Sequence, residues 1–377
     1  MSIRQMFPGS IVKPGFNPLA TQTPITYYDL YAWGLGSSGE LGQGNTTSYS
    51  SPKQVGSTSR WAKIAIGAAN SLAVTPEGTL YAWGKNNVGQ LGDGSLTYRS
   101  SPVQIGTLTN WLNISCGSNF SLAVKTDGTL WSWGYNPFGE LGLGDTVDRS
   151  SPTQVGALTS WLSVSCGANH SLAIKTDYSI WAWGANGNGQ LGIGNLTRYS
   201  SPKQIGSLTN WRSISAGNNF SVAIKENGTL WTWGRNGNGQ LGQGTVSTDT
   251  SSPAQVGALT NWSLSEPGGT FGFAIKTDGT LWSWGNNGSG QLGLGNTTGT
   301  YYSPKQVGAL TSWLTLSGGN YSASAIRTNG TLWTWGYNSQ GLLGFGNLTD
   351  YSSPKQVGSL TIWVSVKMGN DHTMALD

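Results

Sequence analysis

The chain has 377 residues, of which only 10% are charged, and a formal net charge of +4. Ordinary domains carry roughly 25% charged residues, and this small positive balance without a Lys or Arg block argues against nucleic acid or an anionic membrane as partner. With 57 Gly, 19 Trp and two cysteines, the composition suits a turn-rich all-β protein with a neutral polar surface and no disulfide framework.

Residues 1–26 stand apart. They hold Pro8, Pro14, Pro18 and Pro24, with the apolar residues Phe7, Ile11, Val12 and Phe16 between them. Proline and glycine at this density forbid a regular helix. The segment is predicted to be an extended arm whose four apolar residues dock on a partner. It lacks the continuous apolar run of a signal peptide, and no stretch of the chain reaches the ~20 apolar residues of a membrane-spanning helix.

From Trp33 onward one unit repeats. Its clearest copy is Trp233-Gly234-Arg235-Asn236-Gly237-Asn238-Gly239-Gln240-Leu241-Gly242, and versions begin at Trp33, Trp83, Trp133, Trp183, Trp233, Trp284 and Trp335. Seven units of about 50 residues make residues 27–377 one repeat domain. On residues 111–156 a unit reads as four strands: Trp111 to Gly117, Ser121 to Lys125, Thr129 to Trp133 and Ser151 to Val155. Asp127-Gly128 between the second and third predicts a two-residue hairpin turn with positive φ. Asp177-Tyr178 breaks that pattern, and a tyrosine there should carry strain or force another turn type.

Seven units of four antiparallel strands predict a seven-bladed β-propeller. The first strand ends in Ile66, Cys116, Cys166, Ala216, Pro267, Gly318 and Met368, mostly compact residues that suit a crowded hub. The fourth carries Pro52, Pro102, Pro152, Pro202, Pro253, Pro304 and Pro354, which suits the rim because proline lacks the ladder donor. The domain starts on a third strand and stops after a second. One blade is therefore predicted to be shared between the two ends, closing the ring and removing open edges.

The units resemble the regulator-of-chromosome-condensation repeat family. The matching residues are Trp83-Gly84, Asn86, Gly89-Gln90-Leu91-Gly92, Gly94, Pro102, Gly117, Ser121-Leu122-Ala123-Val124 and Asp127-Gly128. The family's Gly-x-x-His-Ser survives in full at Gly167 to Ser171, with His372-Thr373 in the last copy. The resemblance implies a seven-bladed propeller that binds proteins. One family member is a nucleotide exchange factor working through a wedge in one blade, and a bacterial relative inhibits β-lactamases. Units here differ in length by single residues, so no wedge is present. The arm, Phe7-Pro8-Gly9 through Pro18, resembles the start of certain marine bacteriophage proteins.

Catalytic residues are poorly supplied. His170 and His372 read as structural histidines. The Gly-x-Asn-x-x-Gly loops lack the strand-to-helix context and lysine of a phosphate loop. Glu40 and Glu140 sit on non-adjacent blades, too far apart for paired carboxylate chemistry. The expectation is no enzyme, no cofactor and no metal. Binding remains. The loop between third and fourth strands should share a face with the turn between first and second. Its differing positions, Lys85, Tyr98, Arg99, Tyr135, Phe138, Arg149, Arg198, Tyr199, Arg235, Tyr301, Tyr302 and Tyr337, form the predicted partner-binding face, Tyr and Arg being favoured at interfaces. The leading expectation is a non-enzymatic structural or host-recognition protein of a bacteriophage virion. Its arm would bind other virion proteins and its loop face a host-surface glycan or protein. The alternative is a soluble bacterial protein-interaction module, an inhibitor or scaffold.

Overall fold

A computed structural model describes residues 26–57, 60–244 and 248–377. Its strands form seven four-stranded antiparallel sheets. Blade 1 combines Ser365–Met368 and His372–Leu376 with Leu30–Gly34 and Tyr49–Gln54. Blades 2 to 7 follow in chain order, each running from hub to rim. In blade 3 the strands are Trp111–Cys116, Phe120–Lys125, Leu130–Gly134 and Arg149–Gln154. The fourth strand thus begins two residues before the predicted start and releases Val155, which turns inward and is 3% exposed. Among the described residues no helix is long and apolar enough to cross a membrane.

The closure predicted for blade 1 is present residue by residue. Leu30 pairs with Leu376, Ala32 with Met374 and Gly34 with His372. All five residues of the C-terminal strand are buried. The prolines lie where expected, on the outermost strand, and the ladder there slips register, as between Arg149 and Thr153 of blade 3.

The repeated motif locks each blade to the next. The Trp of the Trp-Gly pair in each third strand is fully buried, or nearly so, which withdraws about 5 kcal/mol of apolar surface from water. Its indole N–H donates to a carbonyl of the preceding blade's loop: Trp133 to Gln90 at 3.0 Å, Trp183 to Glu140 at 2.8 Å, and Trp33 back to Leu342 of blade 7 at 2.8 Å. Gly92 makes this approach possible, since a Cβ there would stand 2.8 Å from the Trp133 indole nitrogen. The motif asparagine shapes the loop itself. Asn136 accepts the Leu141 N–H at 2.9 Å and donates to the carbonyls of Asp145 and Val147.

The hairpin between second and third strands departs from the two-residue form. In blade 3 the loop is Thr126 to Gly128. Gly128 N–H donates to the Lys125 carbonyl (2.9 Å) and Lys125 N–H to the Thr129 carbonyl (3.0 Å). Of these loop residues, Gly128 alone has positive φ, +78°. This is a three-residue loop closed by a left-handed residue. The Asp127 carboxylate selects it by accepting the Thr129 N–H at 3.0 Å and hydroxyl at 2.6 Å. In blade 4 Tyr178 keeps the same turn at φ +63°, the one non-glycine with positive φ among the described residues. The adjacent bond from Trp211 N–H to the Tyr178 carbonyl stretches to 3.3 Å, against 3.0–3.1 Å at the glycine-bearing turns. The turn type holds, and the tyrosine carries the strain.

Candidate functional site

An up-and-down blade puts the turn between strands one and two on the same side of the disc as the loop between strands three and four. Backbone bonds join them in every blade: Lys85 N–H to the Ala69 carbonyl (2.9 Å), Tyr135 to Asn119 (3.0 Å), Arg235 to Asn219 (2.9 Å) and Tyr337 to Tyr321 (3.1 Å). The framework holds these residues through their main chain and leaves the side chains of Lys85, Tyr135 and Arg235 for contact, while the Tyr337 hydroxyl accepts from Ser339. The residue after each Trp-Gly pair therefore belongs to a ring near the hub. Arg235 is exposed, while Lys85, Tyr135 and Tyr337 are half-buried. Phe138 lies in the same loop, half-buried, its N–H given to Glu140 at 2.8 Å.

The other predicted contact residues sit further out, where the loop enters the outermost strand, and several serve the fold. Arg99 pairs with Asp93 at 2.8 Å and Arg149 with Asp145 at 2.5 Å. The Lys203 ammonium covers Tyr199 at 5.3 Å. Tyr301 packs on the core shared by blades 6 and 7, and its hydroxyl accepts from Asn296 at 3.3 Å. Tyr302 closes over Gly239 of the preceding blade, where a Cβ would meet its ring at 2.6 Å. Tyr98, at 46% exposure, and Arg198 remain free-standing at this outer edge. Phe7, Ile11, Val12 and Phe16 lie outside the described residues.

Two residues of the inner ring were missed from sequence. Tyr321 is 43% exposed and meets Tyr337 edge to face at 6.4 Å. Asp371 lies in the first turn of blade 1, its carbonyl accepting Leu35 N–H at 2.8 Å. Burial pushes the carboxyls of Asp371 and Glu40 up, and the charge of Asp371 adds to the rise at Glu40. Both missed residues fill positions of the first turn that the repeat leaves variable. A comparison of those turns across the units would have found them.

The hub is a cavity of about 110 Å³ lined by Ile66, Cys116, Cys166, Ala216, Pro267, Gly318 and Met368 and the small residues after them. Asn218 reaches Asn320 across Gly269 at 3.1 Å and narrows it further. That space suits a few waters rather than a substrate. His170 and His372 are buried, each with Nε2 on a serine hydroxyl of the next blade, Ser221 at 3.0 Å and Ser71 at 2.9 Å. Burial depresses both histidines to about 3 and lifts the Cys116 thiol to about 12. These groups stay neutral at physiological pH. Among the described residues no group of three or more His, Cys, Asp or Glu is placed to hold a metal.

The sequence model of the Regulator of chromosome condensation (RCC1) repeat matches residues 29–74, 77–124, 127–174, 179–224, 227–275, 278–326 and 329–376. Each match starts near a third strand and ends on the second strand of the next blade, so the sequence unit is offset from the blade. Protein RCC2 homolog of Danio rerio is 39% identical over 89 residues, 23% of this chain and 18% of that protein. Protein RCC2 of Homo sapiens is 38% identical over 78 residues, 20% of this chain and 15% of its own length. The matches thus span less than a fifth of these curated relatives. Human WBSCR16 superposes with a TM-score of 0.83 at 22% identity, over 93% of this chain and 99% of its own. Prp20p of Saccharomyces cerevisiae, studied for its binding to Gsp1p and histones, gives 0.83 at 22% identity over 93% and 92%. Both show the same fold.

Proposed function

Because the chain belongs to the Regulator of chromosome condensation (RCC1) repeat family, we propose that it is a non-enzymatic protein-interaction module that binds its partner through the inner ring of the loop face. The observation that carries this reading is the division of labour in each blade. Main-chain bonds and the buried Trp hold the ring, so the side-chain tips of Lys85, Tyr135, Arg235 and Tyr321 are spared structural duty, while the Tyr337 hydroxyl accepts from Ser339 within its own loop. They differ from blade to blade on an otherwise repeated scaffold, which gives a cyclic framework a directional surface. Aromatic and arginine anchors of this kind carry most of the energy in protein interfaces.

The test is photo-crosslinking from position 135 or 337 in the native source, with position 127 on the opposite face as control. A protein captured from the loop face, and lost when Tyr135→Ser is combined with Arg235→Glu, supports the reading. Capture only from position 127 refutes it. Attachment to a virion through residues 1–26 is a narrower form of the same proposal, suggested by the sequence of that arm. Sedimentation with particles, abolished by removing the arm, is its expected signature; a free single-chain species would end it.

A further inference from the structure

Blades 3 to 6 each end their second strand in a lysine: Lys125, Lys175, Lys225 and Lys276. All four are buried, at 4–8% exposure. Each ammonium sits 3.5–3.7 Å from the centroid of the outer indole, Trp131, Trp181, Trp231 or Trp282. The inner indole, Trp111, Trp161, Trp211 or Trp262, is 4.6–5.0 Å away. The two rings stand nearly perpendicular, at 78–83°. A cation in that angle faces the negative side of an aromatic quadrupole. The fold therefore builds the same ammonium seat repeatedly, at the edge of the disc face opposite the loop face.

Blade 2 fills the seat differently. Thr75 replaces the lysine, and Arg60 from the preceding connection lies 4.7 Å from both Trp61 and Tyr81. Blade 7 has Arg327, 5.8 Å from Trp333. Blade 1 keeps the pair of rings but reverses the charge. Tyr31 and Trp363 stand 5.2 Å apart at 76°. Leu376 pairs with Leu30 as Val124 pairs with Leu130, so the lysine position is Asp377. Its carboxylate accepts the Asp29 N–H at 3.0 Å. Both it and Tyr31 are half-buried, whereas Trp363 behind them is 3% exposed. Burial, then the charges of Asp377 and Asp29 and a hydrogen bond to Asp377, lift the Tyr31 hydroxyl above its usual range.

We propose that blade 1 accepts a lysine side chain of a partner protein, as the free or N-methylated ammonium, over the Tyr31 ring and against Trp363, with Asp377 as its counter-ion. The four lysine blades supply the geometry. The aspartate supplies the attraction that the covalent tether supplies elsewhere, and two half-buried groups leave an approach. The site lies on the face away from the inner ring, so it stands or falls independently of the loop-face reading.

The test is calorimetric titration of the full chain with N-acetyl-lysine amide, its Nε-trimethylated form and N-acetyl-norleucine amide. Saturable binding of at least one charged probe in about the millimolar range, with norleucine at least ~10-fold weaker, is expected. Asp377→Lys would place the chain's own ammonium in the seat. It should weaken the charged probe by ~10-fold or more and raise the melting temperature. Tyr31→Leu gives the same loss of binding should Asp377→Lys fail to fold. Equal binding of norleucine, or full affinity in the folded Asp377→Lys variant, would overturn the proposal.

Discussion

Replacing Glu140 by glutamine should stabilise the propeller, by an amount that grows from pH 4.5 and levels off above about pH 7. The residue occupies the motif position held by Gln90, Gln190, Gln240 and Gln291 in other blades. It is buried, and its backbone carbonyl already receives the Trp183 indole and the Ser171 hydroxyl. Its Oε2 accepts one N–H, from Phe138, while Oε1 has no partner. Desolvation raises the carboxyl from 4.5 to about 7, against the opposing pull of that hydrogen bond. In the folded chain the group therefore holds a proton between pH 4.5 and about 7 that the unfolded chain releases. Stability is complete below pH 4.5 and declines as pH rises toward 7. At 1.36 kcal/mol per unit the full penalty is about 3 kcal/mol. For a domain of roughly 350 residues that corresponds to a melting shift of about 4 °C. Thermal unfolding of the parent and Glu140→Gln chains at pH 5 and pH 8.5 measures it. The expected result is a gain of about 1 °C at pH 5 and about 4 °C at pH 8.5. A gain of equal size at both values would show that the missing hydrogen bond, not the ionised carboxylate, sets the cost.

Tyr178→Gly should stabilise by about 0.5–1 kcal/mol, the left-handed cost exceeding the extra freedom of an unfolded glycine; Gly128→Ala should lose about 1–3 kcal/mol, since its Cβ would meet the Thr159 carbonyl at 2.2 Å. Urea midpoints check both, and a destabilised Tyr178→Gly chain would count against strain at that turn. Acid should destabilise the chain through its histidines, which remain neutral until about pH 3 when folded but gain a proton near 6.5 when unfolded. The slope is about 1.4 kcal/mol per pH unit for each histidine between those values, and His170→Phe with His372→Phe should flatten it, as Phe120, Phe220 and Phe271 already fill the position. Deleting residues 369–377 removes a wholly buried strand. Met374 and Leu376 alone account for about 3–6 kcal/mol of burial, so a truncated chain that melts with the parent would contradict closure through blade 1.

The fold was legible because its constraints are local and repeat seven times. Proline on the outer strand, compact residues at the hub and Trp-Gly at the end of each third strand each have one physical solution. The turn was misread because Asp-Gly serves two hairpin types. The choice rests on whether the aspartate accepts a bond from the residue two places on, as Asp127 does from Thr129. The binding face was legible only in part. Arg99, Arg149 and Tyr302 look like contact residues in sequence, and their structural partners Asp93, Asp145 and Gly239 become evident only once the loops are folded onto each other.

That separation explains where a propeller of this kind can acquire specificity. Most side chains at the outer edge enter a strand and pair, stack or pack, as Arg99, Arg149, Tyr199 and Tyr302 do, so changing them disturbs the blade. A side chain after Trp-Gly sits where the backbone makes the tie to the first turn, a demand that Leu35, Lys85, Tyr135, Ala185, Arg235, Asn286 and Tyr337 all meet, with Asn286 and Tyr337 adding side-chain bonds inside their own loops. Residues as different as leucine and arginine are tolerated because the demand never reaches Cβ. Variation therefore accumulates at the ring at little cost to folding. The same logic holds on the opposite face, where the pair of rings persists while the residue at the end of the second strand changes from Lys125 to Arg327 to Asp377. In both places the scaffold specifies a position and leaves its chemistry open.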